Sequence, residues 1–155
     1  MGRFITSQFP WRAVAVIAAG IALTGCGTPA EPMDQESYNL VEEYVAEQTS
    51  AVEEALVDAE AIDEVERINE TYLTAEEWPE REEISSWTVN LRTDDGNLRE
   101  IDGGELSEAV YGLAEASREL VDTLSGEGSE MTDVMTAHES AESAVAQARE
   151  VLYGA

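Results

Sequence analysis

The side chains here that could do chemistry are one thiol, one imidazole and a large surplus of carboxylates. Cys26 is the only cysteine and His138 the only histidine, among 34 Asp and Glu and only eight Lys and Arg. A lone histidine lacks the further ligands of a zinc site, and no Ser or Cys nucleophile pairs with it by spacing. Glu139 and Glu142 leave open a carboxylate-tuned His138. The favoured reading is a boundary or core histidine on an apolar stripe. Asp94-Asp95-Gly96-Asn97 has the composition of a calcium loop. The EF-hand spacing would need a ligand at Leu91, however, so a turn is the better account. Glu42-Glu43, Glu53-Glu54, Glu76-Glu77 and Glu82-Glu83 could each form a carboxylate dyad, but none sits among apolar neighbours that would lift a pKa. No phosphate-cradling glycine loop, HExxH or GxSxG occurs. The sequence thus offers no catalytic residue, no metal-ligand set and no cofactor, and the expectation is a protein that is not an enzyme.

Cys26 stands apart because of what precedes it. Arg3 and Arg12 form a basic head, followed by the eleven uncharged residues AVAVIAAGIAL from Ala13 to Leu23. That run is too short to span a bilayer in a mature protein and has the plan of a secretory signal. It closes on Leu23-Thr24-Gly25-Cys26, which resembles the lipobox of bacterial lipoproteins; the rival account is a buried free cysteine ending a core helix. The resemblance covers residues 1 to 26 only. It implies that residues 1 to 25 are cleaved as a signal peptide and that Cys26 carries a diacylglyceryl thioether. A domain on the extracytoplasmic face would then be lipid-anchored to the cell membrane, with palmitate among the attached chains. The mature domain carries no family signature.

Charge narrows the partners. Removal of residues 1 to 25 takes away two of the eight basic residues and none of the acidic ones, so the net charge moves from −26 to −28. Such a field repels nucleic-acid phosphates and anionic head groups and attracts basic protein surfaces or, weakly, divalent cations. With Cys26 lipidated, no thiol is left for a disulfide.

The elements that position these groups follow from apolar spacing. Residues 26 to 33, with Pro29 and Pro32, read as an extended tether of roughly 20 Å at full reach, and residues 34 to 155 as one acidic helical domain. Asp34 caps a first helix. Its stripe (Val41, Val45, Gln48, Val52, Ala55, Ala59, Ile62) alternates four and three, and no Pro or Gly interrupts Asp34 to Leu73. The spacing predicts one helix of roughly 60 Å. Trp87, Val89 and Leu91 alternate with polar residues as a strand, and a turn at Asp94 to Asn97 leads into a return strand over Leu98 to Ile101. This hairpin is expected against Val65, Ile68 and Tyr72. Asp102 caps a second helix with the stripe Leu106, Val110, Leu113, Ser117, Leu120 and Leu124. Ser129 caps a third with Met131, Val134, His138, Ala141, Val145, Ala148 and Leu152, ending at Gly154. The predicted fold is mainly α, an antiparallel three-helix bundle with a long first helix and a small hairpin between helices 1 and 2.

Two functions remain. One is a membrane-anchored, non-enzymatic envelope lipoprotein that binds a protein with a basic or apolar surface. The other is an envelope module for a cation or cationic small molecule, which tyrosines and tryptophans could help to line.

Overall fold

The computed structural model describes residues 33–93 and 95–154, so the signal segment, lipobox and nearly all of the tether lie outside the described residues. The described chain is mainly helical: α1 (Gln35–Val57), α2 (Ile62–Leu73), α3 (Arg81–Ser85), α4 (Gly103–Ser125) and α5 (Met131–Tyr153). Between α3 and α4 lies an antiparallel pair, β1 (Thr88–Arg92) and β2 (Leu98–Asp102).

The single long first helix is not what forms. At Asp58 the backbone turns extended, its carboxylate accepts from the Glu60 amide, and its own amide still donates to Glu54. One 3-10 turn, Ala59–Ala61, then reverses the chain into α2. The stripe read as continuous is two stripes facing each other. Tyr44 Oη donates to Asn69 Oδ1 at 2.9 Å and Gln48 Nε2 to the Val65 carbonyl at 3.3 Å. Fold-back wins because it buries both stripes at once, against each other and against α4 and α5, whereas isolated helices of this acidity gain little from themselves.

With that reversal the bundle has four main helices. α1 packs on α2 and α5, and α4 packs on α2, α3 and α5. The second and third helices of the sequence reading appear as α4 and α5, an antiparallel pair across a short turn. Asp102 caps α4 as expected, accepting from the Gly104 and Glu105 amides. Ser129 does not cap α5; its hydroxyl donates instead to the Thr123 and Gly126 carbonyls and closes the turn. Gly154 ends α5 with φ +70°, a left-handed conformation that suits glycine.

The α4–α5 seam is rich in small side chains: Ala137, Ala141 and Ala148 are buried on α5, Ala109 and Ala116 are buried on one face of α4, and Gly112 and Ala116 lie opposite Ala144. The stripe read for α5 holds at Ala141, Val145, Ala148 and Leu152, all buried; at its start Ala137 takes the core position given to His138, and Met131 is exposed.

The hairpin forms as expected, and its register sets buried Val89 opposite buried Ile101. Its position differs from the expectation. Arg99 donates to the Glu150 and Val151 carbonyls at 2.6 and 2.7 Å, fixing β2 to the C-terminus of α5. Trp78, from the segment after α2, takes the place beside Tyr72. The short α3 was not foreseen. Pro79 ahead of it and Glu82 and Glu83 in its first turn are helix-start signals. It is held to α4 by Ser107 Oγ donating to the Arg81 carbonyl and Tyr111 Oη to that of Pro79.

Candidate functional site

Leu23, Thr24, Gly25 and Cys26 lie outside the described residues, so the structure bears only on the domain. No helix among the described residues is long and apolar enough to cross a membrane.

His138 is half-buried at the solvent edge of α5, with no side-chain hydrogen bond to it among the described residues. Both residues of Glu53-Glu54, Glu76-Glu77 and Glu82-Glu83 are exposed, as is Glu43; Glu42 is half-buried. The hairpin turn closes on itself. Asp95 accepts from the Thr93 hydroxyl and, at 2.7 Å, from the Asn97 amide. These two bonds, Thr93 first, hold its carboxyl below the usual range. Gly96 takes a positive φ, +83°, in the turn. Among the described residues no three His, Cys, Asp or Glu side chains converge as a metal cluster.

Sequence spacing did not reveal the polar and aromatic group inside the α1–α2 hairpin. Tyr44, Tyr72 and Trp78 meet edge to face, with centroids 5.1 to 6.5 Å apart. Asn69, bonded to Tyr44, also lines a cleft of ≈ 230 Å³ between α2 and α4. Glu66, Glu70 and Asp122 stand round this cleft together with Arg118. A second opening, a groove of ≈ 420 Å³, lies between α1 and α5. Leu56 and Val145 floor it, and Val57, Ala146, Glu53, Glu142 and Arg149 edge it. Arg149 grips Glu53 in two bonds of 2.6 and 2.7 Å. Both openings are shallow and solvent-facing, a shape suited to docking. The α5 side of the groove was present in sequence as the spacing of Glu142, Val145 and Arg149, but nothing there showed that the end of α1 would lie opposite.

The buried tyrosines give the domain an alkaline limit. Burial, with Glu42 adding to it, pushes Tyr38 up to about 12; burial raises Tyr44 further, against a weaker pull from Arg118. An unfolded tyrosine loses its proton near pH 10 while the native one keeps it, so the unfolded state binds fewer protons above that pH. The stability contributed is therefore complete below pH 10 and falls as pH rises toward 12, at up to about 1.4 kcal/mol per pH unit for each residue. The Tyr38 hydroxyl is buried without a protein partner. Tyr38→Phe should be near neutral at about pH 8 and should flatten the alkaline fall, read as urea midpoints across the range. An unchanged slope would contradict this assignment.

Comparison of the chain with known protein families, with curated proteins and with solved structures gave no match.

Proposed function

We propose that this protein is a lipid-anchored, non-enzymatic accessory of the bacterial cell envelope that works by binding another envelope protein. The observation that carries the reading is Leu23-Thr24-Gly25-Cys26, closing a charge-free apolar run behind a basic head and holding the only cysteine. Lipid at Cys26 would confine the acidic domain to the membrane surface within the reach of its tether, where a weak contact gains from high local concentration. One acyl chain binds a bilayer only marginally; the two or three that the resemblance implies give stable anchoring. The open groove and the exposed apolar side chains suit contact with a macromolecule.

A second reading, a module for a cation or cationic small molecule, draws on Glu66, Glu70 and Asp122 around the α2–α4 cleft. Arg118 in the same cleft opposes a cation there, which is why protein binding is preferred.

Anchoring is tested by expressing the full chain in a bacterial host with labelled palmitate. The wild-type chain should take up label and sediment with membranes, and Cys26→Ser should lose both. Label retained by the serine variant would overturn the reading.

A further inference from the structure

On α5, Met131, Met135, His138, Glu142, Val145 and Arg149 succeed one another at intervals of four and three, so they share one face of the helix. The lower half of that face borders the α1–α5 groove, where Val57 stands beside Glu142 and Val145 and Glu53 holds Arg149. These contacts set the end of α1 level with the middle of α5. Beyond that point α1 has turned away into α2, leaving about 16 Å of the same face, from Glu142 back to Met131, with no helix of the described residues over it. Met131 is 75% exposed, Met135 57%, and Val57, at the rim, 92%. One exposed apolar residue is ordinary; a row in register with a groove is not.

Its surroundings name the occupant. Glu142 stands in the row itself and Glu139 beside it on α5, both exposed, in a chain whose net charge is −26. The one basic side chain at the groove, Arg149, is already paired with Glu53. We infer that this face receives an amphipathic helix of a partner protein, with an apolar ridge seated along the methionines and lysine or arginine beside Glu139 and Glu142. Methionine side chains adapt to varied ridges, and the carboxylates select a basic partner over an acidic one. The inference deepens the reading of a tethered binding module and rests on it for orientation alone. α1 spans about 35 Å from the tether end, so the face stands at the far end of the bundle from the anchor.

The test uses the full chain in neutral-lipid nanodiscs with methyl-labelled methionine, and empty nanodiscs to correct for peptide taken up by lipid. A synthetic leucine–lysine amphipathic helix should shift the Met131 and Met135 methyl signals saturably, and its leucine–glutamate counterpart should not. Met131→Gln with Met135→Gln keeps every carboxylate, so general charge attraction persists in that variant. It should nevertheless weaken binding about tenfold, the scale of losing buried apolar contact. Equal affinity of the double variant, or methyl signals indifferent to the basic peptide, would overturn the proposal. So would methyl shifts that follow protein concentration without peptide, since the occupant would then be a second copy. The methyl signals report on this face whether or not Cys26 carries lipid, which separates failure here from failure of the anchoring reading.

Discussion

Gly103→Ala is expected to destabilise this domain by about 3 kcal/mol or more, while Gly112→Ala, nine residues along the same helix, is expected to stabilise it. A β-carbon at position 103 would lie 2.3 Å from the Ile84 carbonyl oxygen, 2.4 Å from that of Trp87 and 2.7 Å from the Trp87 amide nitrogen. All three are backbone atoms, so no side chain can swing aside. The Gly103 amide also donates to the Trp87 carbonyl at 2.9 Å, tying the start of α4 to the junction of α3 and β1. The methyl group must push these segments apart, and Ile84 and Trp87, both buried, move with them. At Gly112 a β-carbon meets nothing within 4 Å, and the helix interior gains the usual ~0.5–1 kcal/mol from replacing glycine. Urea midpoints measure both changes, and fluorescence of Trp87 should move toward that of a solvated indole only in the first variant. Equal effects of one sign would mean that the close approach at Gly103 does not exist in solution.

Tyr44→Ala should cost about 4 kcal/mol, the range for deleting a fully buried aromatic ring. Tyr44 is 0% exposed and lies between Tyr72 and Trp78. Tyr44→Phe keeps the ring and loses only the bond to Asn69, for about 1 to 2 kcal/mol, part of it the cost of a buried amide oxygen left without a donor. This pair also tests the reversal at Asp58. In one continuous helix Tyr44 and Asn69 would be some 37 Å apart and could not interact. A double-mutant cycle of Tyr44→Phe with Asn69→Leu should therefore give a coupling energy of about 0.5 kcal/mol or more. Strict additivity of the two would favour the unbroken helix.

The helices were legible wherever a cap and a one-sided stripe coincided. Asp34 and Asp102 cap as read, and the stripe from Leu106 to Leu120 is buried throughout. The hairpin was legible for the same reason: alternation at Trp87, Val89 and Leu91 admits one buried face, and Gly96 supplies the turn. What failed was the choice between readings that spacing alone leaves equal. Val57-Asp58-Ala59 contains no breaker, and its neighbours keep the four-and-three count, so a helix running through and a helix folding back share one pattern. At the start of α5 two rows compete, the large side chains at Met131 and His138 and the small Ala137, before both run into Ala141, Val145 and Ala148, which are buried as read. Hydrophobicity favours the first. Close approach of α4 favours the second, because alanine lets two helix backbones come together.

The sequence by itself determined the helical class, the caps at Asp34 and Asp102, the hairpin, the acidity and the grounds for an anchor at Cys26. Each of those depends on neighbours within a few residues or on composition. Tertiary structure alone decided that the first helix reverses at Asp58, that the hairpin binds the end of α5, and that Met131 and Met135 face outward. Those outcomes depend on which apolar surface finds which partner. That competition is settled by area and fit between segments far apart in the chain, and periodicity carries no record of it.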